Sequence, residues 1–157
     1  MKLDLKLWLR RSTGQELNRV RGEYHQDVEG HTDKKPMFVW MTFSGIEEVC
    51  IAGASDGWHI LAKERPIDPL DMAEHGRTLI RDMSGVFPFD CSVGHSLESV
   101  SLIVSPTPDS IIGFQMEFGS DRSAVVLNWG DELFLGDGND WPDDWGSDPD
   151  PIQVIPL

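Results

Sequence analysis

The stretch SIIGFQMEFGSDRSAVVLNWGDELFLG, residues 110–136, decides the fold. Three apolar runs, SIIGFQMEF, SAVVLNW and ELFLG, are rich in β-branched and aromatic residues, which suit a pleated, half-buried surface. Between them stand Gly119-Ser120-Asp121 and Gly130-Asp131. Gly and Asp tolerate the positive φ angles of tight turns. Strands joined by such short turns run antiparallel, so this stretch reads as a meander.

The same grammar extends outward. LESVSLIVS precedes it as a strand, turned by Pro106-Thr107-Pro108-Asp109, and the final IQVIPL reads as an edge strand because Pro156 tolerates only an edge or an end. Further upstream, MFVWMTF reads as a buried strand. IEEVCIAGASDGWHILAKE has two apolar runs around Ser55-Asp56-Gly57, the pattern of a hairpin that places Trp58 and His59 in a strand. Asp68-Pro69 marks a helix start, Asp71 and Glu74 have capping-box spacing, and Gly76 would stop that helix before RTLIRDM returns as a strand. In the first ten residues Leu3, Leu5, Leu7 and Leu9 alternate with Lys2, Asp4, Lys6, Trp8 and Arg10, the period of a half-buried strand. Residues 11–36 are polar and read as irregular loop with at most one helical turn. The expected architecture is mainly β: an antiparallel meander forming a sandwich or open barrel, with one short helix, in a single domain over residues 1–157.

Composition narrows the function. The 157 residues are 39% apolar and 25% charged, with a net charge of −14. Residues 1–81 are nearly neutral, whereas residues 82–157 carry 14 acids and one base, Arg122. Such a surface repels phosphate backbones, so no nucleic-acid partner is expected. No stretch is long and apolar enough for a membrane helix, and MKLDLKLWLRR interleaves charge with leucine where a signal peptide has an unbroken apolar core. A cytoplasmic location is therefore expected. Cys50 and Cys91 are too few for a disulfide framework and read as reduced, buried small residues.

The most unusual segment is NWGDELFLGDGNDWPDDWGSDPDP, residues 128–151, with three tryptophans, eight acids and no Lys or Arg. A calcium EF-hand loop fails in two registers: from Asp137 the fifth position is Trp141 and the sixth Pro142, and from Asp140 the third is Pro142. Asp137, Asn139, Asp140 and Asp143 offer oxygen donors without ligand spacing. In YHQDVEGHTD, His25/Asp27 and His31/Asp33 repeat a His-x-Asp pair, but in no known zinc spacing, and solvated loop histidines are the simpler reading. No phosphate loop, Cys-x-x-Cys pair or His-Glu-x-x-His helix occurs. Trp40 and Trp58 read as core residues. Trp141 and Trp145 lie among carboxylates, where a tryptophan anchors an interface, stacks on a sugar, or folds back over the β core.

SIIGFQMEFGSDRSAVVLNWGDELFL, with the acidic segment behind it and ASDGWHI at residues 54–60, resembles small acidic bacterial proteins, some of them similar to the immunity proteins of polymorphic toxin systems. The resemblance lies mainly in the second half and in turns, so it carries no catalytic residues. It implies a non-enzymatic protein that neutralises a partner. The expected function is thus a cytosolic protein-binding module for a basic protein, with no catalytic residues, no cofactor and no metal. Asp137, Asp140, Asp143, Asp144 and Asp148 would steer the encounter and Trp141 and Trp145 would anchor it. The alternatives are a small-ligand or metal-binding β protein, including a hydrolase, and a structural accessory domain.

Overall fold

Residues 110–136 fold as their pattern requires. A computed structural model describes residues 1–105, 110–142 and 152–157. In chain order the first elements are β1 (Lys2–Leu3), helix α1 (Leu5–Ser12), β2 (Leu17–Gln26), β3 (Phe38–Phe43), β4 (Val49–Gly53), β5 (Ile60–Lys63) and β6 (Arg77–Asp82). The second half gives β7 (Ser99–Ser105), β8 (Ser110–Glu117), β9 (Ser123–Trp129), β10 (Glu132–Gly136) and β11 (Gln153–Pro156). They form two antiparallel sheets: six strands in the order β1-β5-β4-β3-β2-β6, and five in the order β10-β9-β8-β7-β11.

One core lies between the sheets. Val39, Met41 and Ile51 enter it from the first sheet, Leu102, Phe114 and Val126 from the second, and Leu5, Trp8 and Leu9 from α1. The architecture is mainly β with one short helix, as the sequence pattern implies. The MFVWMTF strand, the β4–β5 hairpin, the RTLIRDM strand and the meander all stand where their patterns place them. The β11 strand lies at a sheet edge, where Pro156 costs no ladder bond. The turn at Pro106–Asp109 lies outside the described residues.

Three segments differ from the sequence reading. The N-terminal leucines do not make a strand beyond β1. The Asp4 carboxylate accepts the Leu7 N–H and caps α1, whose buried residues Leu5, Trp8, Leu9 and Ser12 recur at helical spacing. Leu7, on the apolar face of the presumed strand, is 54% exposed, whereas Trp8 is 2% exposed. The polar stretch after it contains β2, ten residues long and paired on both sides, by β3 and β6. Its outward residues carry the charge that hides it. Gly22 lies so close to the core that a Cβ would stand 2.5 Å from Met83 Sδ. The proposed helix after Asp68 is only a 3-10 turn, Ala73–His75, ended by Gly76 at φ +95°. There the Asp71 carboxylate accepts the Ala73 N–H, which serves a turn. Trp58 is half-exposed in the β4–β5 turn rather than in the core, and Cys91 is exposed whereas Cys50 is buried.

Candidate partner-binding face

The β9–β10 turn is built by Gly130 and Asp131, both at positive φ (60° and 69°), with Trp129 opposite Glu132. This is the two-residue hairpin that matches strand twist. The turn aims Asp131 and Glu132 outward, and β10 then runs along the sheet edge to Asp137. The Asp137 carboxylate accepts the Asn139 N–H at 2.8 Å, and its carbonyl accepts the Asp140 N–H at 3.2 Å. Gly138 N–H donates to Ser123 Oγ, and Trp141 Nε1 donates to the Gly138 carbonyl. Hydrogen bonds thus hold the start of the acidic segment against the second sheet.

Trp141 is half-buried. It packs with Trp129, Phe134 and Ile152 over Ile103, Ile112, Val125 and Leu127, a small apolar cluster on the outer face of the second sheet. The chain leaves β10 at one edge of this sheet and returns as β11 at the other. Trp141 and Ile152, on either side of the undescribed part, both rest on the same face. Asp143, Asp144, Trp145 and Asp148 lie outside the described residues. Of the residues expected to meet a partner, Asp137, Asp140 and Trp141 therefore lie together at one sheet edge.

Charge divides between the sheets. On the first sheet and its flanks, cations meet anions: Arg11 with Glu47 at 2.8 Å, Arg21 with Glu48 at 2.6 Å, Arg65 with Glu23 at 3.4 Å. At β10 only Glu132 has a cation, Lys35 at 2.8 Å; among the described residues Asp131, Asp137 and Asp140 form no ion pair. The Lys35–Glu132 pair lies at a groove of about 640 Å³ lined by Asp33, Phe38, Gly53, Asp131 and Leu133.

The histidine stretch is partly assembled. His31 Nδ1 lies 3.1 Å from Asp27 Oδ2 and 3.7 Å from Glu29 Oε2. The three ligand atoms fall within 4.8 Å of one another, all on an exposed turn. The His31 backbone N–H chiefly, with the His31 ring and the Glu29 N–H, holds the Asp27 carboxyl below its usual range. His25 and Asp33 do not join this group: His25 Nδ1 faces Asp33 at 3.6 Å and its Nε2 bonds the His75 carbonyl. In the β4–β5 turn, the backbone N–H of Trp58 first, then the His59 ring and N–H, lower Asp56 to about 2.

Sequence reasoning missed a cluster on the outer face of the first sheet. Glu23 and Phe38 are cross-strand neighbours, as are Trp40 and Cys50. The Arg65 guanidinium lies 3.9 Å from the Phe38 ring centroid and 5.7 Å from that of Trp40. Burial pushes the Cys50 thiol up to about 11, which keeps it an inert thiol. The one sequence signal is Glu23 alternating with Tyr24 in a stretch whose polarity reads as loop. No protein-family model, curated protein or solved structure matches the chain. No helix among the described residues is long and apolar enough to cross a membrane.

Proposed function

We propose that the chain is a non-enzymatic protein-binding module that recruits a basic protein through the acidic edge of its second sheet, in the manner of an immunity protein neutralising a toxin domain. The observation that carries this reading is the segregation of charge. Residues 1–81 carry nearly balanced charge, with ion pairs such as Arg11–Glu47 and Arg21–Glu48, while Asp131, Asp137 and Asp140, which flank or follow the edge strand β10, form no ion pair among the described residues. Like charges held together gain little from one another and much from an approaching cation, so they accelerate encounter. Asp143, Asp144 and Asp148 follow in the sequence and raise the acidic charge of the same segment. Trp141 presents a partly exposed indole beside these carboxylates and, with Trp145, supplies the apolar contact that slows dissociation. The binding site is cytoplasmic in this reading. Replacing Trp141 and Trp145 by alanine tests the anchor: the off-rate of the basic partner rises at least about tenfold, and an unchanged off-rate removes both tryptophans from the interface.

A second reading rests on the Asp27–Glu29–His31 turn, where nitrogen and carboxylate ligand atoms stand close enough to share a divalent ion. A metal bound only by the folded chain raises the melting midpoint. Melting with zinc, with calcium and with chelator, on wild type and His31→Ala, decides it. No midpoint change with either ion discards the metal.

A further inference from the structure

Among the described residues Glu23 is the most deeply buried acid. Its side chain is 0% exposed, yet it projects from the outer face of the first sheet, away from the apolar core. Among the described residues neither carboxylate oxygen has a hydrogen-bond donor; the cation beside it is Arg65, with Nη1 at 3.4 Å. Arg65 Nη1 is likewise buried without a hydrogen bond. Guanidinium and carboxylate favour a forked pairing with two short N–H···O bonds. Here the guanidinium carbon instead stands 3.9 Å from the Phe38 ring centroid and 5.7 Å from that of Trp40, with Lys63 Nζ 5.0 Å from the same Phe38 ring. A buried charge pair with unfilled hydrogen-bond capacity is a poor stabilising device, because the desolvation cost is not recovered. The walls, however, are those that select a guanidinium: an aromatic face to stack on and a desolvated carboxylate to receive the fork.

Arg65 reaches this cage from the 64–71 segment between β5 and β6, which occupy different parts of the sheet order. Its backbone is tied at the ends. Glu64 N–H donates to the Met1 carbonyl, Trp40 Nε1 donates to the Arg65 carbonyl, and Leu70 N–H donates to Thr78 Oγ1. Pro66 and Pro69 have no N–H to give, and Pro66, Asp68, Pro69 and Leu70 are exposed. The Arg65 side chain itself keeps 23% of its surface open to solvent. The Arg65 side chain is therefore partly open to solvent although Nη1 is buried, and it stands at the tied start of the span.

We propose that Glu23, Phe38 and Trp40 form a guanidinium-binding cage in which Arg65 serves as an internal ligand, and that an arginine side chain of a basic peptide exchanges with it. A guest entering from solvent in fork geometry gives Glu23 the two hydrogen bonds that Arg65 does not. This rests on the basic-partner reading only for where such an arginine comes from; the cage itself stands on the geometry.

The test follows the Trp40 indole N–H resonance during titration with N-acetyl-arginine amide and, as charge control, N-acetyl-lysine amide. Arg65→Ala should bind the arginine probe at least about tenfold more tightly than the lysine probe. Adding Glu23→Gln to that variant should abolish the preference. Wild type should show the same shift at concentrations at least about tenfold higher, because Arg65 competes. Equal binding of the two probes, retention of the preference without the Glu23 carboxylate, or a wild-type resonance unmoved at a hundred times the Arg65→Ala dissociation constant would each overturn the proposal. If Arg65→Ala does not fold, Arg65→Lys keeps the charge without the planar stack and is read by the same criteria. No partner protein enters this experiment, so its failure leaves the acidic edge untouched, and failure of the acidic edge leaves the cage untouched.

Discussion

Trp8 stands edge-on between two rings, 5.8 Å from Phe43 of the first sheet and 6.3 Å from Phe114 of the second. Its ring joins α1 to both sheets, so truncation opens a void that neither sheet can close alone. Trp8→Ala should cost about 3–5 kcal/mol of stability, read as a lower urea midpoint. A cost under about 1 kcal/mol would mean the helix does not clamp the sheets. The sequence could not show this, because alternation with leucine placed Trp8 on the polar face; only the helical period brings residues 5, 8 and 9 together. Trp58 differs for the opposite reason: a residue beside a turn signal reads as strand, and in the structure it is part of the turn itself. Asp56, in that turn, carries the clearest pH signature. Its carboxyl is lowered from 3.8 to about 2 by the Trp58 N–H and then by His59. A depressed acid stabilises the fold above its unfolded pKa and loses that contribution as pH falls through the folded one. Asp56→Asn should therefore flatten the part of the stability profile between about pH 4 and pH 2, and an unchanged profile there would contradict the hydrogen bonding described.

Among the elements, α1 depends on its cap. Asp4→Ala should cost about 1 kcal/mol, measured by chemical denaturation, because the Leu7 N–H loses its acceptor. The β2–β6 edge depends on Gly76. A Cβ there would lie 2.0 Å from the Gln26 carbonyl, at φ +95°. Gly76→Ala should cost about 1–3 kcal/mol and weaken amide-exchange protection at Thr78 and Leu79 before the rest of the sheet. Strands with apolar residues on one or both faces and a turn at each end were legible in the sequence: β3, β4, β5 and the whole β7–β10 meander. The ten-residue β2 was not. Its outward face holds Arg19, Arg21, Glu23 and His25, and its inward face offers Gly22 between Val20 and Tyr24. Pairing on both sides makes this segment a strand, and pairing is a property of β3 and β6 that no local pattern reports. The proposed cage at Glu23 was invisible for the same reason, since its walls come from β2 and β3 and Arg65 from a third segment.

At the scale of the whole molecule, a net charge of −14 with its excess in the second half sets the behaviour in solution. Self-repulsion along the second sheet opposes folding and is screened by salt. Raising sodium chloride from about 10 to 200 mM should lift the melting midpoint by roughly 2–5 °C. A falling midpoint would mean that ion pairs such as Arg21–Glu48 outweigh the repulsion. The charge imbalance was legible from the sequence. Its placement was not, because only the strand order puts β10, flanked by Asp131 and Asp137, at an edge. The most direct test of the proposed recruitment is the association rate of a basic protein captured from host lysate by the chain, measured at low and high salt. The comparison is between wild type and a variant with Asp137, Asp140, Asp143, Asp144 and Asp148 all changed to Asn. Electrostatic recruitment predicts a wild-type rate that falls steeply with salt and a variant rate at least about tenfold lower at low salt, with little change in dissociation. Equal association rates and equal salt slopes for the two proteins would contradict it.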